Sequence, residues 1–140
     1  MDQKAITQVE VGFSRRFSKT ITDEDIRKFS EVTGDFNPIH LDQEYASKTI
    51  FKERIAHGIL IVGLVSAALA KLPGVVVYLS QSAKFIRPVR IGDTIEALVE
   101  VIDKHPEKSE VLLKTTCRNQ RGEPVLDGEA RVKLFDLKQG

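Results

Sequence analysis

The sequence has one cysteine, no tryptophan and no marked excess of either charge among its 140 residues. A single cysteine, Cys117, excludes an internal disulfide and a cysteine-based metal cluster, so packing within a strand is its expected role. The 21 Lys and Arg residues nearly match the 20 Asp and Glu residues. No basic stripe with interleaved aromatic residues is present, and a nucleic-acid partner is therefore not expected.

Hydrophobic segments long enough to cross a membrane are also missing. The longest apolar run, residues 59–70, falls short of the roughly 20 residues that span a bilayer, and Lys71 and Pro73 follow it closely. The N-terminus has an early acid, Asp2, and no apolar core, which argues against a signal peptide. The sequence thus predicts a cytoplasmic location, no membrane partner and, from its length, a single domain over residues 1–140.

Reactive side chains are concentrated in residues 33–40, where a carboxylate, a carboxamide and an imidazole occur at Asp35, Asn37 and His40. Gly34 and a nearby proline disfavour regular helix or strand and hold this stretch in one bent shape. Asp35 and His40 can then point toward a common water molecule, which would face a charged acceptor and a titratable one. Taken alone, Asp35 and Asn37 are equally consistent with a turn whose side chains bond their own backbone, and a single histidine such as His40 is more often structural than catalytic.

A helix is predicted to begin after Thr22, which can cap the free amides with Asp25 at the capping-box distance. Its apolar face comprises three residues at helical spacing: Ile26, Phe29 and Val32. Gly34 ends this helix and leads the chain into the bent stretch.

A second short helix is predicted from Gln43 to about Lys48, with Tyr45 and Ala46 packing on the first. Residues 49–56 are polar and mixed, which is typical of a solvated loop. We expect this loop to border the entrance to a site.

Residues 59–70 are apolar nearly all the way round a helix. A helix with no polar face is a buried one, so this segment is expected to be wrapped by its own protein. Small side chains would let a sheet approach it closely: Gly63, Ala67 and Ala70. His57 and Gly58 stand at its start, where the first backbone N–H groups lack partners and the helix dipole is positive. The amide of Gly58 could therefore stabilise an acceptor oxygen at close range.

From residue 75 onward the pattern changes to β-rich runs separated by turn residues. Four successive antiparallel strands are predicted: 75–85, 94 to about 102, 110–119 and 124–135. Together with an earlier strand at 12–20, they form a sheet of about five strands around the apolar helix.

The bent stretch and its surroundings also carry a family motif, which comprises Phe29, Gly34-Asp35, Asn37-Pro38, His40 and Ala46. This run resembles the hydratase motif of the MaoC-like (R)-specific enoyl-CoA hydratases, a family with the hot-dog fold. Residues 84–94 resemble the strand-turn-strand junction of the same proteins, so the likeness covers about 18–135. It implies an α+β fold: one hot-dog domain with an antiparallel sheet wrapped around a long apolar helix.

The resemblance implies reversible hydration of a trans-2-enoyl-CoA to an (R)-3-hydroxyacyl-CoA. It makes Asp35 and His40 the catalytic pair that activates water, and it assigns the thioester oxygen to the amide of Gly58. Ser66 resembles the family's serine near the catalytic pair, although it could simply bond back to its own helix. Asn37 is expected to support the substrate site.

The implied partner is acyl-CoA, whose coenzyme A is part of the substrate, so no separate cofactor is expected. Lys84, Arg87 and Arg90 are candidates for its phosphates, but exposed basic residues are usually only solvated. A homodimer or a dimer of dimers is also implied. The alternatives are a dehydratase acting on acyl groups of acyl carrier protein, a thioesterase, and a non-catalytic acyl-CoA-binding module.

A metal site is the remaining possibility, since four side chains are candidate ligands: Asp35, His40, Asp42 and His57. The sequence has no His-Glu-x-x-His spacing and no cysteine pair, so no metal is expected. His57 is ambiguous between direct chemistry and a place near the helix start.

Overall fold

Five antiparallel strands form one sheet within residues 4–138, the part of the chain that the computed structural model describes. The strands, in chain order, are β1 (Ser14–Thr20), β2 (Val75–Phe85), β3 (Thr94–His105), β4 (Glu110–Arg118) and β5 (Pro124–Phe135). Their order across the sheet is β1-β3-β4-β5-β2. The first two strands in the chain thus occupy the two opposite edges.

The helices lie between the first two strands in the sequence. They are α1 (Asp23–Thr33), α2 (Pro38–Leu41), α3 (Gln43–Ser47) and α4 (Gly58–Leu69), and short 3₁₀ turns occur at Ala5–Gln8 and Pro106–Lys108. The longest of them, α4, packs against strands β1 to β4. This is the hot-dog fold predicted from the sequence.

The core lies between α4 and one face of the sheet. Along β3 every second side chain is buried, as period-2 alternation requires: Ile95, Ala97, Val99 and Val101. Strand β4 repeats the pattern, and its last buried member is Cys117. The predicted packing role of this cysteine is therefore confirmed, and burial raises the pKa of its thiol to about 12.

The predicted strand boundaries agree with the structure to within two residues, except at the end of β3, which continues to His105 instead of stopping near Ile102. The register with β4 shifts between Val101 and Asp103. Such a bulge places an extra residue in one strand and breaks the alternation of side chains. The alternation of buried side chains ends at Val101 although the strand continues, which is why the sequence pattern places the end of the strand near Ile102.

Helix α1 begins with the predicted capping box: Thr22 Oγ1 accepts a hydrogen bond from the Asp25 amide, and the Asp25 carboxylate accepts one from the Thr22 amide. The predicted apolar face was partly wrong. Ile26 is buried, but Val32 is 85% exposed. Six residues beyond Ile26 correspond to roughly 120° around a helix of 3.6 residues per turn, which carries Val32 away from the core.

Helix α4 is not wrapped on all sides by its own chain. One stripe of it faces outward: Ile59, Gly63, Ser66 and Ala70, the last just beyond the helix end. Ile59 is 61% exposed, and a β-carbon built on Gly63 would meet nothing within 4 Å. The prediction that Gly63 and Ala70 let the sheet approach was therefore wrong. Within residues 4–138, no helix combines the length and apolarity that a membrane crossing requires.

Candidate active site

The bent stretch after α1 is built from local hydrogen bonds. Gly34 has φ of 82°, and its amide donates to the Ser30 carbonyl oxygen at 2.8 Å. The left-handed conformation favours glycine and ends α1 as predicted. Next, the Asp35 carboxylate accepts from the Asn37 amide at 3.2 Å, and Asn37 Oδ1 accepts from the Ile39 amide at 3.3 Å. The side chains of Asp35 and Asn37 thus form the turn that was predicted as the alternative to catalysis. The second carboxylate oxygen of Asp35, Oδ2, still remains available to bind a water molecule.

The short helix α2 carries His40, so the prediction that proline disfavours regular helix in this stretch was wrong. Asn37 occupies its N-cap and Pro38 its first turn, where the missing N–H of proline costs nothing. Asp42 ends α2 and caps α3 by accepting a hydrogen bond from the Tyr45 amide at 3.1 Å. Asp42 therefore caps a helix and does not join the cluster of Asp35, His40 and His57, and Tyr45, at 48% exposed, does not pack into the core.

The imidazole of His40 is fixed in orientation by the loop before α4. Its Nδ1 lies 2.8 Å from the carbonyl oxygen of Ile55. Because a carbonyl can only accept, Nδ1 carries the hydrogen, and in the uncharged ring Nε2 keeps its lone pair. The buried ring can therefore act as a base through Nε2.

The backbone of His40 is also tied down. Arg54 Nε donates to the His40 carbonyl oxygen at 2.7 Å, and its Nη2 pairs with the Asp23 carboxylate at the start of α1. Arg54 is only 11% exposed, so the predicted solvated loop at 49–56 contains a largely buried anchor. Hydrogen bonds from Arg27 and then Arg54 hold the pKa of Asp23 below its usual value.

Asp35, His40 and His57 converge on one place. One ligand atom from each side chain lies within 4.8 Å of the corresponding atoms of the other two. Asp35 is exposed, whereas both histidines are buried. The structure thus brings together the two residues predicted as the catalytic pair, and it adds His57 to them.

His57 lies behind the pair. Its ring stacks on that of His40 with centroids 3.8 Å apart, and its Nε2 lies 3.1 Å from Ser30 Oγ and 3.2 Å from the Asp35 carbonyl oxygen. Burial lowers the pKa of His57, and this effect outweighs the hydrogen bond to the Asp35 carbonyl, which raises it. The ring therefore favours its neutral form.

A cavity of about 460 Å³ opens beside His40. Its wall is mainly apolar: Phe51, Ile55, Ala56, Gly58, Ile59, Ile61, Phe85, Ile86, Pro88, Val89 and Val125, with Arg87. Gly58 is the first residue of α4, and its amide makes no hydrogen bond to any described residue. An oxygen atom in this cavity could therefore be bound at the positive end of the helix.

Ser66 is not part of this cavity. It lies eight residues after Gly58, about 12 Å along the helix axis, and lines a separate pocket of about 240 Å³ with Tyr78. The structure therefore does not bring Ser66 to the predicted catalytic pair within one chain.

Of the three basic residues predicted to bind the phosphates of coenzyme A, Arg87 and Arg90 form ion pairs within the protein. Arg87 pairs with Glu123 at 3.4 Å while lining the cavity. Arg90 donates to the Phe51 carbonyl oxygen at 2.8 Å and pairs with Glu53. Arg90 thus holds the cavity wall in place, and Lys84 is exposed near the end of β2.

The three convergent side chains have the composition of a possible cation site, since two imidazoles and a carboxylate suit several divalent metals. One nitrogen of each ring is already bonded to the protein, because His40 Nδ1 contacts Ile55 and His57 Nε2 contacts Asp35 and Ser30. His40 Nε2 and His57 Nδ1 are the atoms that would remain for a metal.

Sequence reasoning missed Ser30 and Arg54. Ser30 is fully buried and lies four residues after Ile26, on the same side of α1. A serine on the buried face of a helix indicates a hydrogen-bonding partner inside the protein, and this signal was present in the sequence. Arg54 gave no comparable signal, because its partners are 14 and 31 residues away.

Comparisons with known proteins agree with this geometry. The family profile described as "MaoC like domain" matches residues 5–120. The chain is 48% identical to a 3-hydroxybutyryl-CoA dehydratase of Methylorubrum extorquens over 90% of its length and 81% of the relative's. It is 46% identical to an (R)-specific enoyl-CoA hydratase of Rhodospirillum rubrum, covering 90% and 88% of the two chains.

A solved structure gives the same result. An unliganded R-hydratase of Pseudomonas aeruginosa superimposes with a TM-score of 0.87 at 40% identity, and the match covers 96% of this chain and 90% of the other. The family profile spans most of the sequence, including the bent stretch and α4. The chain therefore belongs to the MaoC-like family of hot-dog proteins.

Proposed function

We propose that the protein is an (R)-specific enoyl-CoA hydratase, which reversibly adds water to a trans-2-enoyl-CoA and gives an (R)-3-hydroxyacyl-CoA. One observation carries the proposal: Asp35 and His40 converge next to an apolar cavity that also contains the free amide of Gly58. The names of the two relatives, a dehydratase and a hydratase of CoA thioesters, describe the two directions of this reaction.

The reaction needs a base, an acid and a hydrogen-bond donor that stabilises the negative charge developing on the thioester oxygen. His40 Nε2 and the Asp35 carboxylate hold a water molecule between them, and the pair removes a proton as the water oxygen bonds to Cβ of the enoyl group. Electrons move to the thioester oxygen, which is bound by the Gly58 amide. The proton then returns to Cα, so that one water is added in total. Asp35 and His40 share these transfers as a coupled pair.

Gly58 contributes by binding charge that exists only during the reaction. A donor of this kind is typically worth about 10²–10³ in rate. The apolar wall of the cavity lowers the local dielectric constant, which strengthens this interaction. The same wall accommodates the acyl chain, while Asn37 supports the site indirectly by capping α2.

A second copy of the chain is part of the proposal. The outward stripe of α4 is apolar apart from Ser66, and β2 is an edge strand with several exposed apolar side chains: Val75, Val77, Tyr78, Leu79 and Phe85. An unpaired edge beside an apolar surface is a place where another chain can add. A homodimer joined along β2 and α4 covers both, and Ser66 then lies at the interface. The cytoplasmic location stays a prediction from the N-terminal sequence.

The function is tested by incubating the protein with crotonyl-CoA. Hydration is measured as the loss of absorbance of the conjugated thioester, and chiral analysis identifies the product. We expect an (R)-3-hydroxy product, and we expect Asp35→Asn and His40→Asn to lose at least the roughly 10²–10⁴ of general acid–base catalysis. A folded Asp35→Asn protein that hydrates crotonyl-CoA at the normal rate would contradict the assignment of Asp35 as a catalytic residue.

Assays with other substrates distinguish the proposed hydratase from the alternative functions. Faster turnover of acyl carrier protein thioesters than of CoA thioesters would assign a dehydratase of carrier-bound substrates. Thiol release from a saturated acyl-CoA would indicate a thioesterase, and binding without any absorbance change would indicate a non-catalytic module. Because we propose that no metal or cofactor takes part, we expect full activity in excess chelator.

A further inference from the structure

His57 lies against both members of the proposed catalytic pair and directly precedes Gly58 in the chain. Its ring packs against Phe29 with centroids 4.7 Å apart and stacks on His40 at 3.8 Å, with an angle of 28° between the two histidine planes. Its Nε2 reaches the Asp35 carbonyl oxygen, and its backbone directly precedes Gly58. One buried side chain, 2% exposed, therefore contacts both members of the proposed catalytic pair.

The contact with Asp35 fixes the tautomer of the ring. A carbonyl oxygen can only accept a hydrogen bond, and a ring nitrogen without hydrogen would meet it lone pair to lone pair at 3.2 Å. Nε2 must therefore carry the hydrogen, which it shares with Ser30 Oγ. Nδ1 is then an acceptor, and it has no hydrogen-bond partner among the described residues.

The free Nδ1 determines the charge of the ring. A proton added there would be buried without an acceptor, which is costly, and it would lie against the ring of His40, which receives a proton in the proposed reaction. The titratable groups that face His57 are His40 and Asp35. A neutral His57 leaves the positive charge to His40, whereas a charged one would compete with it.

We propose that His57 is a positioning residue: its Nε2–H holds the backbone of Asp35, and its neutral ring supports His40, so that both reach the same water molecule. This inference rests on the proposed function, since it assigns His57 a task in that reaction. His57 itself touches neither the water nor the substrate. Its role is to keep two reactive groups within the narrow range of geometry that catalysis requires.

Two substitutions separate the hydrogen bond from the stacking. In His57→Gln the side-chain amide nitrogen can occupy the place of Nε2, so the donor is retained and the ring is lost. In His57→Phe the ring is retained and the donor is lost. We expect His57→Phe to lower kcat about 10- to 100-fold, the range for slight misplacement of reacting groups. KM should change less than about threefold, and His57→Gln should recover part of kcat.

Ser30→Ala is the matched control. It removes the other contact of the same nitrogen and leaves the bond to Asp35 in place. We expect a loss of stability, because a buried hydrogen bond is broken, with kcat within about twofold. A kcat in His57→Phe equal to that of the unmodified protein would overturn the inference, and so would an equal loss in Ser30→Ala, because the effect would then be general packing.

A measurement on the unmodified protein does not depend on how the variants fold. The ¹⁵N chemical shifts of labelled histidines report which ring nitrogen carries hydrogen. We expect His57 to be neutral with its hydrogen on Nε2 at pH 7, and an Nδ1–H tautomer or a charged ring would overturn the inference. Failure of the proposed function is distinguishable, because the unmodified protein would then not hydrate crotonyl-CoA, whatever the tautomer of His57.

Discussion

Phe85 packs so closely against Gly58 that a β-carbon on the glycine would lie 2.7 Å from the nearest ring carbon. Such a distance is far shorter than van der Waals contact, so the ring would have to move. The absence of a side chain therefore serves two purposes: it lets the end of β2 close over the start of α4, and it leaves the amide open to the cavity.

Gly58→Ala is expected to lower kcat/KM for enoyl-CoA about 10²-fold or more, the typical effect of losing one oxyanion donor. The new methyl group would occupy the approach to the amide and displace Phe85. Steady-state kinetics on crotonyl-CoA measures this. The double variant Gly58→Ala/Phe85→Ala gives the new methyl group room, so its recovery of normal activity would show that Phe85, rather than access to the amide, limits the single variant.

Arg54→Ala is expected to lower kcat about tenfold. The change removes the hydrogen bond to the His40 carbonyl oxygen and leaves His40 less firmly placed. Arg27→Ala is the control, because Arg27 also pairs with Asp23 but lies on the surface of α1 and does not reach His40. Equal kcat values for the two variants would show that Asp23 pairing alone accounts for any loss.

The stability of the protein should fall as the pH is lowered from 6.5 to 5. Burial depresses the pKa of His57 in the folded state, whereas in the unfolded chain it is about 6.5. Below that pH the unfolded state binds a proton that the folded state does not, so the free energy of unfolding decreases until the lower, folded-state pKa is passed.

Urea unfolding at a series of pH values measures this effect. His57→Phe should show a smaller decrease between pH 6.5 and 5, since the titrating group is gone. The carboxylates with lowered pKa values, such as Asp23 and Glu123, lose their contribution only at lower pH, because unfolded carboxylates titrate near 4. An unchanged slope in His57→Phe would contradict the prediction.

Val77→Arg is expected to weaken self-association, because it places a charge on the exposed edge strand that a second copy would cover. Light scattering coupled to size-exclusion chromatography gives the mass of each species. Val11→Arg is the control: Val11 is exposed and lies just before β1, at the opposite edge of the sheet. A monomeric unmodified protein with full activity at high dilution would contradict the dimer.

Local chemistry accounts for what could be predicted from the sequence. The cap at Thr22, the left-handed turn at Gly34 and the alternation along β3 each depend on residues close in the chain, and each was predictable. The pairing of Asp35 with His40 belongs to the same class, because both lie in one short bent stretch.

Contacts between distant segments account for the rest. His57 contacts Ser30 and Asp35, which are 27 and 22 residues away in the sequence, and no spacing rule relates the three. The outward stripe of α4 was missed for a similar reason: apolarity indicates that a helix is covered, but it does not indicate which chain covers it. Ser66 lies on that stripe, so its environment depends on the assembly.

Strand β2 connects the proposed dimer interface with the cavity of the candidate active site. Its outer edge is where a neighbouring copy would attach, and its last residue, Phe85, rests on the amide that would receive the thioester oxygen. Separation of the copies would free this strand on one side and loosen the aromatic ring at the mouth of the cavity. If the copies pair as proposed, dilution should reduce turnover per subunit, and protein concentration would then control the rate of catalysis.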